Sequence, residues 1–331
     1  MSLEILAKIS YIGIYIFAFL CGAVIGSFLN VCILRLPLGE SLVKKNSHCM
    51  TCGAEIKRYD LIPIVSWIIL RGKCRNCGAK ISPRYMIVES LTAVLFTLTF
   101  IKYDISDYGF VFPMLLCFFL AAVIVVAFED LDTKTMSISV LLWAGAFAVL
   151  ELLNAEFLVN TAYIRSMTGV TFTDNIIGLF AVSVPLLLIG FVITPLVYVY
   201  FLSEDHKERR KLQRRLRAEL APFDESRVTA ALKEVNERIE ARGAIYGFGM
   251  GDVVLMGAAG LMLGYKAALT AAFIGIVLGA VYGIFLKVKT KDDDGNSESN
   301  VFAFGPFLCI GIAAAVFIGN SLWDAYFSLL R

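Results

Sequence analysis

The chain has 331 residues, of which 58% are hydrophobic and 18% are charged, with a formal net charge of +2 and a mean hydropathy of +0.76. This composition is too apolar for a soluble domain of that length and is typical of a protein that crosses a membrane several times. We expect membrane lipid, and no nucleic acid, among its partners.

Eight apolar segments predict about eight membrane-spanning helices, so the expected fold class is an all-α polytopic membrane protein. The first segment is long and lacks a small-residue cleavage site, which favours a true span over a signal peptide. Gly264 predicts a turn between the sixth and seventh segments, which could alternatively form one re-entrant hairpin. The segments cover residues 10–34, 86–101, 110–128, 138–153, 175–201, 252–264, 266–286 and 304–328.

The basic residues are concentrated in three loops, and this distribution predicts the orientation in the membrane. Residues 35–85 contain ten Lys and Arg, and residues 202–243 contain eleven. A third basic loop begins at Lys287, whereas the loops at 102–109 and 154–174 carry one basic residue each. By the positive-inside rule the three basic loops are cytoplasmic, and both termini lie outside. The expected location is the inner membrane, with a candidate active site at its cytoplasmic face.

Residues 203–243 are predicted to form two charged helices broken near Pro222. The first is basic and amphipathic, with Leu212, Leu216 and Leu220 on one side, so it could lie on an anionic membrane surface. The alternative, which we favour slightly, is a solvated helical hairpin held by charge pairs.

Four of the eight cysteines form two CxxC pairs within the first basic loop. "CMTC" supplies Cys49 and Cys52, and "CRNC" supplies Cys74 and Cys77. Two such pairs can complete a tetrahedral shell of four sulfurs, which suits Zn²⁺. A reducing compartment disfavours two disulfides, and a redox role for either CxxC pair is the weaker alternative. We therefore predict a structural zinc site in a zinc-ribbon-like loop.

Acidic residues near the cytoplasmic ends of two apolar segments are the candidates for catalysis. Asp130 and Asp132 follow the third segment, and Asp252 begins the sixth. A carboxylate at the edge of a membrane is costly and often functional, although Asp252 could instead cap its helix. Two neighbouring carboxylates can act as one acid and one base. The sequence spacing does not show whether they meet.

Several motifs occur in a characteristic order along nearly the whole chain. They include "GSFLNVCILRLP" at 26–37, both CxxC pairs, "ISPRYMIVESLTA" at 81–93, "EDLD" at 129–132, "GMGD" at 249–252 and "FGPFL" at 304–308. Together they resemble bacterial type IV prepilin leader peptidases with an N-methyltransferase region. "GMGD" is similar to the GxGD signature of the membrane aspartyl proteases to which that family belongs.

This resemblance implies a bifunctional enzyme. It would remove the short basic leader of type IV prepilins or type II secretion pseudopilins, and would methylate the new N-terminal residue with S-adenosylmethionine. The catalytic residues implied are Asp252 and Asp130, with Asp132 open as an alternative because the proline of the family pattern is replaced near Met136.

The resemblance divides the chain into residues 1–101, associated with methylation, and 102–331, the peptidase region. The residues that bind S-adenosylmethionine are not predicted, because no glycine-rich nucleotide motif is present. Gly72 and Glu89 are only positions of interest, and the ordinary interpretation of Glu89 is an ion pair with a residue such as Arg84.

Two other functions remain as alternatives. One is a peptidase without methyltransferase activity, whose zinc loop is purely structural. The other is a transporter or scaffold, which the position of the acids at helix ends disfavours, because a transporter places ionisable groups near mid-span.

Overall fold

The computed structural model describes residues 3–43, 47–49, 51–155, 170–193, 249–290 and 303–329. The predicted insertion at 203–243 lies outside these ranges. Within them the chain is helical, with a short 3-10 turn at Arg58–Leu61 and two isolated β-bridges in the cysteine loop. The α-helices are α1 Leu3–Arg35, α2 Val65–Ile69, α3 Arg84–Lys102, α4 Ile105–Tyr108, α5 Val111–Thr133, α6 Ile138–Leu153, α7 Phe172–Ala181, α8 Ser183–Leu188, α9 Met250–Leu263, α10 Tyr265–Thr290 and α11 Gly305–Leu329.

The predicted all-helical membrane fold is confirmed. Six of the described helical segments are long and apolar enough to cross a membrane, and α6 and α9 are shorter apolar helices. These eight correspond to the eight predicted segments, with ends that differ by a few residues for most of them. The fifth segment is interrupted, because α7 and α8 meet at Val182.

Small residues let the helices approach closely, and two pairs of glycines spaced four residues apart lie at such contacts. A β-carbon added at Gly22 would lie 2.7 Å from the Cα of Ala93, and one added at Gly26 would lie 2.7 Å from the Cα of Glu89. Gly275 and Gly279 meet the start of α11 in the same way. Helix α1 therefore packs along α3, and α10 packs along α11.

The third predicted segment, α5, lies at the centre of the described bundle. Most of its residues are buried, and it contacts α1, α3, α6 and α11. It ends at Thr133, because the next residue, Lys134, has a left-handed backbone (φ 54°) that stops the helix. This position places the acidic end of α5 among the ends of its neighbours.

Helices α9 and α10 are separate helices joined at Gly264, as the turn prediction requires. Gly264 has a φ of 82° and its N–H donates to the carbonyl of Gly260. The positive φ favours glycine, because it lets the chain reverse without a β-carbon clash.

Candidate active site and cysteine cluster

Asp130 lies in the last turn of α5 and is buried, with 6% of its surface exposed. Its Oδ2 accepts a 2.9 Å hydrogen bond from the backbone N–H of Gly305, the first residue of α11. The first N–H groups of a helix have no partner within the helix and carry partial positive charge. The carboxylate of Asp130 therefore caps α11 and joins two helices distant in sequence.

Asp252 lies in the first turn of α9 and is also buried. Its Oδ2 accepts from the backbone N–H of Gly249 at 3.1 Å, so Asp252 reaches back to the N-cap residue from the third position of the helix and is not itself the N-cap. Its Oδ1, however, is buried without a hydrogen-bond partner. Capping alone does not require this second buried oxygen, and an unsatisfied buried carboxylate oxygen is costly unless it has another use.

The structure brings Asp130 and Asp252 to the same end of the bundle. The side chain of Met136 links the two sides of the site. A β-carbon added at Gly251 would lie 2.6 Å from its Sδ, and one added at Gly305 would collide with its Cε. Gly251 precedes Asp252 and Gly305 contacts Asp130, so Met136 lies between the two aspartates. Sequence reasoning had singled out the "GMGD" glycines but gave Met136 no role.

Asp132 occupies a different position from Asp130. It is exposed, and its two carboxylate oxygens pair with the guanidinium of Arg84 at 2.7 and 2.8 Å. Arg84 also lies over the ring of Phe128, 5.1 Å from its centroid. Because Phe128 and Asp132 are four residues apart, Arg84 holds the outer face of the turn that carries Asp130.

Glu129 fixes the loop that follows α5. It is completely buried, and its carboxylate accepts from the N–H and the hydroxyl of Ser137, both at 3.0 Å. These bonds close the segment between Lys134 and Ser137, so Met136 is held against the two glycines. In the sequence Glu129 is only the first letter of the "EDLD" motif, and nothing there indicated this anchoring role.

Two other buried acids, Glu89 and Glu151, lie outside the aspartate site. Glu89 does not form the expected ion pair with Arg84, because Arg84 is paired with Asp132. Instead Oε2 of Glu89 accepts from the backbone N–H of Ile64 at 2.7 Å. Glu151 is buried near the opposite end of α6, where Asn154 donates to it at 3.2 Å. The acids of the described residues are therefore not confined to one end of the bundle.

The four predicted cysteines converge within the first loop. Their sulfur atoms all lie within 4.8 Å of one another, and those of Cys49 and Cys77 are 3.8 Å apart. A tetrahedron with Zn–S bonds of about 2.3 Å requires sulfur–sulfur separations near 3.8 Å. The cluster therefore fits a Zn²⁺ ion.

Each CxxC pair is built as the same turn. The residues Gly53 and Gly78 follow the second cysteine of each pair and have φ values of 70° and 71°. In each turn the glycine N–H donates to the carbonyl of the first cysteine at 2.9 Å. The repeated pattern CxxCGA was a sequence signal for this duplication, and a positive φ explains why glycine is favoured there.

Backbone donors favour the thiolate form of the first pair. The N–H groups of Cys52 and then Thr51 lower the pKa of the Cys49 thiol to about 6. The N–H of Ala54 similarly lowers the pKa of the Cys52 thiol. A thiolate is the form that binds a metal, so this backbone arrangement suits metal binding. His48 precedes Cys49 in the sequence but is not among the four residues of the cluster.

Comparison with known proteins finds one family model and several relatives that are similar to this chain. Residues 20–103 match the family described as the bacterial peptidase A24 N-terminal domain. A "Prepilin leader peptidase/N-methyltransferase" of Myxococcus xanthus is 39% identical over 125 residues, which cover 38% of this chain and 36% of that protein.

Other relatives align over most of both chains. The "Type 4 prepilin-like proteins leader peptide-processing enzyme" of Escherichia coli O78:H11 is 27% identical, over 90% of this chain and 91% of that protein. A "Prepilin leader peptidase/N-methyltransferase" of Xanthomonas campestris is 28% identical, over 92% and 91%. No solved structure matches the chain. The chain therefore contains a region that matches the A24 N-terminal domain, at residues 20–103, and over most of its length it is similar to prepilin leader-processing enzymes.

Proposed function

We propose that this protein is a membrane aspartyl peptidase that removes the leader of type IV prepilins or type II secretion pseudopilins. The observation that carries the proposal is the convergence of Asp130 and Asp252 at one end of the bundle, beside Gly249, Gly251 and Gly305. The names of the relatives support prepilins as the substrate class.

The chemistry needs one carboxylate as base and one as acid. Like-charge repulsion between Asp130 and Asp252 favours the state in which the pair holds one proton. One carboxylate takes a proton from water, whose oxygen attacks the scissile carbonyl carbon. The other donates its proton to the leaving amine as the peptide bond breaks. The free Oδ1 of Asp252 is the atom best placed to contact water, because Oδ2 is engaged by Gly249.

We assign Asp130, and not Asp132, as the first catalytic aspartate. Asp130 is buried beside Asp252, whereas Asp132 is exposed and paired with Arg84. An aspartate held in a bidentate ion pair is less available to exchange a proton with substrate.

The proposed location is the inner membrane, with the aspartates and the cysteine cluster at its cytoplasmic face. The basic loops that begin at residues 35 and 202 support this orientation. The Arg84–Asp132 pair places the start of α3 beside the end of α5, so the loop that precedes α3 and the aspartate site share one end of the bundle.

We further propose that the enzyme methylates the new N-terminal residue, with S-adenosylmethionine as the methyl donor. Cys49, Cys52, Cys74 and Cys77 would hold a structural Zn²⁺, which supplies folding energy to the loop when bound. In this division, residues 1–101 serve methylation and residues 102–331 serve cleavage. The relatives' names support the second activity.

The test is to incubate the purified protein with a prepilin and labelled S-adenosylmethionine, and to follow leader removal and label transfer separately. Leader removal with label transfer supports both activities. Leader removal without label transfer would favour the peptidase that lacks methyltransferase activity. If a protein that retains its metal and is correctly inserted shows no leader removal and no label transfer, the proposal is refuted.

A further inference from the structure

The segment between the two CxxC pairs exposes a group of large apolar side chains. It comprises α2 and the residues before it, from Leu61 to Ile69. Ile68 is 58% exposed and Ile69 is 69% exposed. Several large apolar side chains exposed within nine residues are typical of a contact with another apolar phase or partner. The exposed apolar residues, which we call the apolar patch, are Leu61, Ile62, Val65, Ile68 and Ile69.

The surrounding contacts hold this segment in place with its apolar side outward. Trp67 packs beneath it, with its ring against Gly72 and its indole N–H donating to the carbonyl of Ile81 at 3.3 Å. The hydroxyl of Ser66 donates to the carbonyl of Tyr59 at 3.0 Å. The segment is therefore held by its own polar groups while the apolar patch remains uncovered.

The depth of the segment follows from its contact with Glu89. Ile64 has a strained backbone (φ 63°, ψ −55°), and its N–H donates to the carboxylate of Glu89 at 2.7 Å. Glu89 lies about 7.5 Å along the helix axis from Arg84, the first residue of α3. Because α3 has 19 residues, it is about 28 Å long and needs nearly its whole length to cross a hydrocarbon core of about 30 Å. Ile64 therefore lies at the boundary of the hydrocarbon core or a few ångströms inside it.

The charged residues around the apolar patch favour its contact with an anionic membrane surface. Four basic residues flank the segment in the sequence and are exposed. The nearby carboxylate, Asp60, is paired with Arg75 at 2.6 Å, and the Arg75 guanidinium lowers the pKa of Asp60. An apolar surface with basic neighbours is the pattern of an element that lies in the interface of an anionic membrane. The flanking residues are Lys57, Arg58, Arg71 and Lys73.

We propose that the segment Leu61–Ile69 is inserted into the interface of the anionic leaflet and anchors the cysteine cluster to the membrane surface. The apolar patch contacts acyl chains, and the flanking lysines and arginines contact lipid phosphates. This lipid contact goes beyond the proposed enzymatic function and does not depend on it.

The experiment introduces a fluorescent coumarin amino acid at Ile69 of the full-length protein in lipid nanodiscs. Nitroxide groups at defined depths on the lipid acyl chains then quench the fluorescence. A control protein carries the same residue at Thr51, which is exposed within the first CxxC turn. Bound zinc and leader cleavage are measured on each labelled protein, and Ile68 serves as a second position if the Ile69 protein does not fold.

We expect quenching at Ile69 to exceed quenching at Thr51 by about threefold or more, with a maximum for nitroxides near the headgroups. Quenching should decrease when phosphatidylglycerol is replaced by phosphatidylcholine. Equal quenching at Ile69 and Thr51 would overturn the proposal. Quenching at Ile69 that is abolished by added prepilin would also overturn it, because the patch would then bind a polypeptide in preference to lipid.

Discussion

The backbone N–H of Gly305 donates to Oδ2 of Asp130 at 2.9 Å, and this bond joins the end of α5 to the start of α11. A β-carbon at residue 305 would lie 2.6 Å from the same oxygen and would also collide with Met136. Gly305→Ala should therefore displace Asp130 and reduce leader cleavage by about 10²-fold, because small displacements of a catalytic group are costly.

The matched control for this change is Gly145→Ala. Gly145 lies in α6, and nothing lies within 4 Å of an added β-carbon there. When both variants are purified and inserted in a membrane, Gly305→Ala should cleave slowly and Gly145→Ala should cleave at the rate of the unmodified protein. Equal rates for Gly305→Ala and the unmodified protein would show that the Gly305–Asp130 contact is not needed.

Replacing either proposed catalytic aspartate should stop cleavage without preventing membrane insertion. Asp130→Asn and Asp252→Asn each remove an ionisable group from the dyad, and the loss of a general acid or base costs about 10²–10⁴-fold in rate. Asp132→Asn should retain most of the activity, because Asp132 is exposed and paired with Arg84. An inactive Asp132→Asn beside an active Asp130→Asn would reverse the assignment.

The attraction between Arg84 and Asp132 should support cleavage, because it holds the last turn of α5, which carries Asp130. Arg84→Glu and Asp132→Arg each bring like charges together, so each should loosen the last turn of α5 and slow cleavage several-fold. The double variant restores opposite charges and should recover much of the rate. Because partly exposed pairs contribute about 1 kcal/mol or less to stability, the single variants should still insert. A double variant slower than both single variants would argue against this coupling.

Zinc binding should require the paired cysteines. Replacing Cys74 and Cys77 together by Ser should remove the metal and reduce methylation more than cleavage, because a closed shell of four sulfurs leaves no position to activate water. Metal content by elemental analysis, single-turnover cleavage and methyl transfer should be measured on one preparation. Cys21→Ser, in the apolar α1, is the control that should keep its metal.

Two other results would contradict this division. Elemental analysis that finds no zinc in the unmodified protein, with all four thiols reactive under native conditions, would exclude the metal site. Normal methylation with lost cleavage in the zinc-free variant would place the loop in the peptidase reaction instead.

The sequence by itself determined the helices and the cysteine turns, because both depend on local order. A long apolar run must satisfy its backbone internally, so a helix follows. The CxxCG pattern likewise contains its own turn, with a glycine where φ must be positive. The predicted boundaries of α6 agree with the observed helix, Ile138–Leu153.

Only the tertiary structure decided which acids meet. Three acids lie within four residues of the sequence but have different partners. Asp130 accepts a hydrogen bond from Gly305, and Asp132 is paired with Arg84. Glu129 is buried against Ser137. Consecutive helical residues point in directions about 100° apart, so their neighbours are set by the helices packed around α5. Those neighbours lie far away in the chain, and spacing along the sequence carries no information about their arrangement.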